Sequence, residues 1–184
     1  MKSAKTFKKD GYLLRLALAS DAEGYYRQGF DPADPQVAYL TGSSLHFSRE
    51  QVISFFLRCT EDPDRYDFLI LDPTGTIIGE SVLNEIDWDR GCANYRIAIF
   101  KPEYFGKGIG TWATQCIRDF AFEELRLRRI ELDVFSFNPR AERVYTKAGF
   151  HREEIRKDAI RDGDGYADEI LMAIEEAQWR KLKN

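Results

Sequence analysis

The fold is decided by residues 104–121, which read YFGKGIGTWATQCIRDFA. Three glycines stand close together at the start of this stretch, at Gly106, Gly108 and Gly110. From Ile109 onward, apolar residues recur every three or four positions, which is typical of a helix with one buried face. A glycine-rich turn before a helix gathers unpaired N–H groups and a partial positive charge, so the sequence predicts an anion site here.

The spacing of the glycines limits which kind of anion site this is. The GxGxxG pattern of dinucleotide-binding folds is absent. The P-loop pattern is also absent, because the Gly-Lys pair is followed by Gly108 and not by Ser or Thr. A pyrophosphate placed against the helix start would be stabilised by the N–H groups without many basic side chains. A glycine-rich turn that only begins a helix stays open as the alternative.

Beyond this stretch, the chain alternates between strand and helix patterns. Residues 95–100 have strand composition, and residues 130–134 alternate apolar and acidic side chains as a strand does. Residues 139–148 predict a short helix that ends at Gly149. Residues 170–174 predict a last strand. This β-α-β-α-β order predicts a mixed sheet with helices on its faces.

The first half of the chain contains more strands than helices. Strand composition is found at residues 12–17, 68–71 and 76–83, the last two being joined by a turn at 72–75. Ser20 with Glu23, and Ser48 with Gln51, have the spacing of capping boxes that open helices. Between these boxes, the Pro- and Asp-rich residues 31–35 are expected to interrupt helical structure.

The charge and length of the chain limit the possible partners. The 184 residues carry 27 Lys and Arg against 31 Asp and Glu, a formal net charge of −4. Phosphate backbones are bound by concentrated Lys and Arg, so we expect no nucleic-acid partner and favour small cations or basic protein ends. We expect a single domain at residues 11–184, preceded by a basic extension at 1–10.

Neither a membrane segment nor a metal site is expected. Nowhere do 18 consecutive apolar residues occur, and the basic start lacks the apolar run of a signal peptide. Cys59, Cys92 and Cys116 lie far apart without CxxC or histidine spacing. We interpret them as thiols of a protein in the reducing cytoplasm.

Two segments resemble the GNAT family of N-acetyltransferases. Residues 102–111, PEYFGKGIGT, resemble the family's turn motif Q/R-x-x-G-x-G/A, which falls on Phe105, Gly108 and Gly110. Phe105 stands where the family has Arg or Gln, which removes one polar side chain near the phosphates and leaves the main-chain cradle. Residues 138–150, NPRAERVYTKAGF, match the later motif N-x-x-A-x-x-x-Y-x-x-x-G-F at every position.

The resemblance implies an α+β fold with a mixed, mostly antiparallel central sheet of about six to seven strands flanked by helices. It implies a transferase that moves an acetyl group from acetyl-CoA to a primary amine by direct attack on the thioester, without a metal. The coenzyme A contacts that it implies are Ile99, Phe100, Lys101, Gly106, Lys107, Gly108, Gly110, Thr111 and Asn138. Among these, the strand end and Asn138 would hold the pantetheine arm, and the turn would hold the pyrophosphate.

The chemistry of thioester aminolysis assigns further roles. The oxyanion needs fixed donors, for which we expect N–H groups near Ile99 and Phe100, where the strand would splay from its neighbour. Tyr145 is implied as the acid that protonates the leaving thiolate, and Glu80 and Glu85 are candidates for the base. The structural alternatives stay open: Tyr145 as a core aromatic, and both glutamates as solvated charges.

The acceptor is expected to be a protein N-terminus, a polyamine or another small amine. Among GNAT proteins, the chain most resembles the group that acetylates ribosomal-protein N-termini and polyamines. Helices between Asp21 and Cys59, together with residues 157–166, are expected to wall the acceptor pocket. A homodimer and a longer acyl donor are left open. The competing interpretation is a non-catalytic acyl-CoA-binding sensor or interaction module, which would keep the glycine turn without needing Tyr145.

Overall fold

The structure, a computed structural model, describes residues 6–183. Its strands are β1 (Phe7–Lys9), β2 (Tyr12–Leu16), β3 (Tyr66–Leu71), β4 (Ile77–Asp87), β5 (Cys92–Ile99), β6 (Arg129–Phe135), β7 (His151–Asp162) and β8 (Gly165–Glu175). Its helices are α1 (Ala22–Gly29), α2 (Pro35–Thr41), α3 (Arg49–Glu61), α4 (Ile109–Glu123), α5 (Pro139–Lys147) and α6 (Glu176–Leu182). Residues 1–5 of the expected basic extension lie outside the described residues.

Within residues 6–183, eight strands form one sheet in the order β1-β2-β3-β4-β5-β6-β8-β7. Strands β5 and β6 are parallel, and every other neighbouring pair is antiparallel. The expected mixed, mostly antiparallel sheet with flanking helices is therefore confirmed. The strands beyond the predicted number are β1, which lies in the segment we placed in the extension, and β7.

The sequence did not predict strand β7, because apolar residues do not alternate with polar ones along it. It lies at the edge of the sheet, pairs only with β8, and is exposed along most of its length. Its charged side chains are held by pairs to β8, with Arg156 Nη1 3.1 Å from Glu169 Oε2 and Lys157 Nζ 2.6 Å from Asp168 Oδ2. Charged residues protect an edge strand from pairing with other chains and remove the pattern on which strand prediction depends.

Helices cover both faces of the sheet. On one face, α4 buries Ile109, Ala113, Ile117 and Phe120 in a core cluster shared with β4, β5 and β6. Burial of each large side chain of this kind contributes roughly 1.5–3 kcal/mol. On the other face, α1 and α3 pack their aromatic residues over β3 in a second cluster. This arrangement leaves the carboxyl end of β5 between the two helical layers.

The expected interruption at the Pro- and Asp-rich segment is confirmed, because residues 31–34 are not helical and separate α1 from α2, which begins at Pro35. Asp34 caps α2, its Oδ1 accepting a hydrogen bond from the Val37 N–H at 3.0 Å, and Pro35 occupies the first helical turn. Proline fits there because its missing N–H would have no helical partner. Residues of α2 also line both cavities of the candidate site.

The two predicted capping boxes had different outcomes. The box of Ser48 and Gln51 is confirmed at the start of α3, with both reciprocal hydrogen bonds present. The box of Ser20 and Glu23 was wrong. There the chain enters α1 through a 3-10 turn, and the Asp21 carboxylate accepts hydrogen bonds from the Leu18 N–H and the Arg15 guanidinium. The Glu23 carboxylate accepts charge-assisted hydrogen bonds from Arg27 and Arg49 and does not reach back to Ser20.

Candidate active site

The sheet opens between β5 and β6. Their parallel ladder covers only Cys92 to Asn94 on β5, which pair with Arg129 to Glu131 on β6. Beyond Asn94 and Glu131 the two strands diverge, while β5 stays paired with β4 as far as Ile99. The predicted splay is therefore present. It leaves the main chain at the end of β5 without a strand on one side.

Alternation along β5 decides which main-chain groups point into this gap. The Phe100 N–H donates a hydrogen bond to the Ile78 carbonyl at 2.8 Å, so Phe100 faces β4. Successive residues of a strand direct their N–H and C=O groups to opposite sides, so Ile97 and Ile99 face the gap. The Ile99 N–H stays a candidate oxyanion donor, whereas the Phe100 N–H is already engaged and cannot serve as one. Ile97 was missed because sequence alone does not give the phase of the ladder.

The glycine turn lies at the amino end of α4, beside the gap. Gly106 and Gly108 have φ angles of +74° and +78°, a left-handed conformation that favours glycine. A Cβ atom added at either position would meet no heavy atom within 4 Å. The turn is thus open on the side where a ligand would approach the first N–H groups of α4.

A cavity of about 370 Å³ connects the turn with the gap in the sheet. Of the expected coenzyme A contacts, it is lined by Ile99, Gly106, Gly108, Gly110, Thr111 and Asn138. Lys101 and Lys107 do not line it, and the Lys107 ammonium lies 5.2 Å from the centre of the Tyr104 ring. Phe100 contributes its side chain to the neighbouring cavity instead. We call this first space the turn cavity.

The turn cavity is edged by a row of cations on α5 that sequence reasoning missed. Arg140 lies over the ring of Phe105, with its guanidinium carbon 3.4 Å from the ring centre. Arg140, Arg143 and Lys147 all line the cavity, and none forms an ion pair with a carboxylate in the described part of the chain. Burial and the charge of Arg143 lower the pKa of Arg140. Their i, i+3, i+7 spacing on one helix face was the signal available in the sequence.

Asn138 has a structural role in the fold. Its Oδ1 accepts a hydrogen bond from the Ala141 N–H at 3.1 Å and so caps α5. Its Nδ2 donates to the Leu40 carbonyl at 3.1 Å, which ties α5 to α2. The alternative interpretation of Asn138 as a helix cap is thereby confirmed, and its contact with pantetheine stays a prediction.

A second cavity, of about 620 Å³, lies on the other side of β5 and is called here the aromatic cavity. Its aromatic lining consists of Tyr25, Phe30, Phe47, Phe55, Tyr95, Phe100, Phe135 and Tyr145. One wall is formed by the helical segment between Asp21 and Cys59, which we predict to wall the acceptor pocket. Residues 157–166, the other expected wall, contribute no lining residue because they lie in the exposed β7–β8 hairpin. The two cavities share seven lining residues: Val37, Leu40, Thr41, Ile97, Ala98, Asn138 and Ala141.

Tyr145 lies at the inner end of the aromatic cavity. Its side chain is only 5% exposed and packs edge-on against Tyr95, with ring centres 6.2 Å apart. Its hydroxyl makes no hydrogen bond to another residue in the range 6–183. Burial raises the pKa of the phenol, with smaller contributions from Tyr95 and Asp133. The phenol therefore stays protonated and available as a donor.

The two candidate bases lie in different surroundings. Glu80 lines the aromatic cavity and is 5% exposed. Its Oε2 accepts a hydrogen bond from the Tyr25 hydroxyl at 2.8 Å, and its Oε1 lies 3.1 Å from Arg96 Nη1. Glu85 is exposed at a bulge of β4, has a φ of +53° and lines neither cavity. Its position gives the assignment as a base no support.

The described residues contain no group of three or more His, Cys, Asp or Glu side chains placed to hold a metal ion. None of the helices in residues 6–183 is both long and apolar enough to cross a membrane.

Comparison with known proteins agrees with this geometry. Residues 12–151 match the family described as acetyltransferase (GNAT) domain. Probable N-acetyltransferase YjcK of Bacillus subtilis is 42% identical over 69 residues, which are 38% of each chain. Spermidine N(1)-acetyltransferase of Escherichia coli K12 is 32% identical over 111 residues, 60% of this chain and 59% of that one. The matches thus span less than two thirds of the length of each of these two relatives.

A solved structure is similar in fold to nearly the whole chain. The crystal structure of spermidine N-acetyltransferase from Vibrio cholerae in complex with CoA and spermine superimposes with a TM-score of 0.82. The superposition covers 94% of this chain and 99% of that one at 22% identity. This chain therefore has the fold of that acetyltransferase structure. The chain belongs to the GNAT family.

Proposed function

We propose that this protein is an N-acetyltransferase that carries an acetyl group from acetyl-CoA to a primary amine. The observation that supports this most is the meeting of two cavities at Ile97 and Ala98, on a strand whose main chain is unpaired on one side. One cavity has an anion-binding turn and a row of free cations. A thioester held at the junction would be open to attack from the other cavity.

Coenzyme A would occupy the turn cavity. Its pyrophosphate would lie against the N–H groups of the turn and the start of α4, where the helix dipole favours negative charge. Arg140 supports the same placement, because it sets a guanidinium on the ring of Phe105, the residue that departs from the family motif. The pantetheine amides would pair with Ile97 and Ile99, replacing the missing strand.

Chemistry at the junction would use groups already in position. The amine attacks the carbonyl carbon, and the oxyanion would be stabilised by the N–H groups at the end of β5 that face the gap. When the carbon–sulfur bond breaks, the Tyr145 phenol would donate its proton to the sulfur. The absence of a hydrogen-bond partner for this phenol among the described residues supports the role, since a donor held elsewhere would have to break that bond first.

The acceptor would enter the aromatic cavity. Asp34, Glu80 and Asp133 line it and favour a cationic amine, while the aromatic walls favour an apolar portion beside the amine. Relatives with spermidine acetyltransferase activity in their names support polyamines as one class to test. Protein N-termini and other small amines belong in the same comparison. The three cysteines are present as thiols, which fits action in a reducing compartment, the cytoplasm in our proposal.

Arg140→Gln should weaken acetyl-CoA binding about tenfold or more, because a hydrogen bond to a charged group contributes roughly 1.5–3 kcal/mol. Isothermal titration calorimetry measures the change. Arg90→Gln, at an exposed turn outside both cavities, is the matched control. Acetyl-pantetheine, which lacks phosphates, should bind Arg140→Gln as it binds the wild type. An equal loss with both ligands would contradict a phosphate contact.

The function itself is tested by acetyl-CoA consumption against a panel of amines. The panel should contain spermidine, peptides with free N-termini, and monoamines that carry aromatic or aliphatic groups. Release of the coenzyme A thiol, dependent on one class of amine, is the expected result. Tight acetyl-CoA binding with no turnover on any amine would instead favour a non-catalytic acyl-CoA-binding module.

A further inference from the structure

Asp133 occupies a special place in the open sheet. The β5–β6 ladder ends at Asn94 and Glu131, and two residues further along the diverging strands stand Arg96 and Asp133. On β6, Leu132 and Val134 are buried in the core beneath α4, so Asp133 points to the opposite face. There it lines the aromatic cavity. The carboxylate is thus beside the gap in which the thioester would lie.

Among the three acidic residues of this cavity, Asp133 alone has a carboxylate that no other described residue holds, its hydrogen bond being with its own backbone N–H. Asp34 caps α2 through the Val37 N–H, and Glu80 is held by Tyr25 and Arg96. Asp133 makes no hydrogen bond or ion pair to the side chain of any residue between 6 and 183. A carboxylate that accepts a proton from a ligand needs such open lone pairs.

The charges around Asp133 make it a better proton acceptor than an ordinary aspartate. Although the residue is open to the cavity, packing around its carboxyl group raises the pKa, and the negative charge of Glu169 on β8 adds to the shift. Glu85 on β4 acts in the same direction, and Arg156 on β7 opposes it. On α5, Tyr145 is near enough for Asp133 to raise the pKa of its phenol.

We propose that Asp133 is the catalytic base, which binds the acceptor ammonium and takes its first proton. The proposal rests on the proposed acetyl transfer and adds a residue that neither motif contains. The base, Asp133, and the acid, Tyr145, would then lie beside the same gap, because both residues line the aromatic cavity. Glu80, with both oxygens engaged, is then a positioning residue that holds Tyr25 and Arg96 in the cavity wall.

The proton count of this step balances. The ammonium gives one proton to the Asp133 carboxylate, and the neutral amine forms the carbon–nitrogen bond. The carbon–sulfur bond breaks, and the sulfur takes the phenolic proton of Tyr145. The attacking nitrogen then loses its second proton, which restores the phenol. The proton on Asp133 passes to solvent through the cavity mouth, so one proton is released for each amide formed.

The test is the pH dependence of kcat/KM in Asp133→Asn. We expect about a 10²-fold deficit at neutral pH, because a general base contributes at least that much. The deficit should shrink as the pH approaches the pKa of the amine, where solvent alone supplies the free base. Asp133→Glu should retain part of the activity. Glu131→Gln, on the same strand face but outside both cavities, is the matched control.

Thermal stability distinguishes a catalytic role of Asp133 from a structural one. A folded-state pKa raised above the unfolded value means that ionised Asp133 costs stability, and this cost grows as the pH rises past the ordinary aspartate range. Asp133→Asn removes the charge, so its Tm at neutral pH should equal or exceed that of the wild type. A deficit that is independent of pH and accompanied by a lowered Tm would overturn the proposal in favour of a structural role.

The remaining outcomes are also decisive. An active wild type with an unimpaired Asp133→Asn variant would overturn the assignment of Asp133 while the acetyltransferase activity stands. A wild type that binds acetyl-CoA and acetylates no amine would overturn the proposed function, and this step with it. An activity deficit at neutral pH that shrinks as the pH approaches the pKa of the amine, with Tm maintained, is the result that supports Asp133.

Discussion

Tyr145→Phe is expected to lower kcat about 10²- to 10⁴-fold, the usual effect of removing a general acid, while KM for acetyl-CoA changes little. Phenylalanine keeps the ring contacts with Tyr95 and Phe150 and removes only the hydroxyl. That hydroxyl has no hydrogen-bond partner in residues 6–183, so the Tm should be unchanged. Because the pKa of the phenol is raised, no ionisation of Tyr145 should appear in the pH–rate profile below about 10.

Tyr95→Phe provides the contrast for this prediction. The Tyr95 hydroxyl lies 2.8 Å from Ser81 Oγ and 3.0 Å from Thr114 Oγ1, and all three residues are buried. Removing it should cost about 1–3 kcal/mol of stability, because buried partners lose a hydrogen bond. Steady-state kinetics and thermal unfolding of both variants separate the two roles. Full turnover in Tyr145→Phe would contradict the acid assignment and leave the thiolate to be protonated by solvent.

Gly108→Val is expected to raise the Kd for acetyl-CoA about 10²-fold, equivalent to losing roughly 3 kcal/mol of charge-assisted hydrogen bonds. Gly108 lines the turn cavity, and a side chain there would occupy the space in which the pyrophosphate approaches the main chain. The substitution also strains the backbone, because φ is +78° and a β-branched residue avoids that region. Calorimetry and thermal unfolding measure the two effects separately.

Gly75→Val is the matched control for strain. Gly75 has a φ of +85°, its added Cβ would meet no atom within 4 Å, and it lies outside both cavities in the turn between β3 and β4. Both variants should therefore lose similar stability, and only Gly108→Val should lose affinity. Unchanged affinity in Gly108→Val, or an equal loss in Gly75→Val, would exclude the turn as the pyrophosphate site.

Elements with an internal pattern were predictable from the sequence. The apolar period of α4, the alternation of β6 and the reciprocal cap at Ser48 each depend on neighbours along the chain, and all are found in the structure. The glycine turn was equally visible, because left-handed residues at Gly106 and Gly108 satisfy a local requirement. These features determine the family and the position of the turn cavity.

Features that depend on partners distant in sequence were not predictable in the same way. Strand β7 has no apolar period and gains its order from pairs with β8. The availability of the Ile97 main chain, and the loss of Phe100 as a donor, follow from the phase of the β4–β5 ladder. Asp133 appeared to be an ordinary polar residue of an alternating strand, and only the end of the β5–β6 ladder places it at the gap.

Arg140 at the turn cavity is another residue whose contact depends on a partner distant in sequence. The sequence shows that Phe105 lacks the charge found at this position in the family, and it suggests that the main chain does the work alone. In the structure, Arg140 from α5 lies on that ring, so a guanidinium reaches the turn from another element. Its spacing with Arg143 and Lys147 was visible, but the facing partner was not.

The measurement that tests the acetyltransferase function most directly is mass spectrometry of an amine after incubation with acetyl-CoA and the wild-type protein, with the coenzyme A thiol counted in parallel. We predict one acetyl group on the amine nitrogen for each thiol released, and loss of both products in Tyr145→Phe. Thiol release without an acetylated amine, or acetylation at the same rate in Tyr145→Phe and without protein, would contradict enzymatic transfer at the junction of the two cavities.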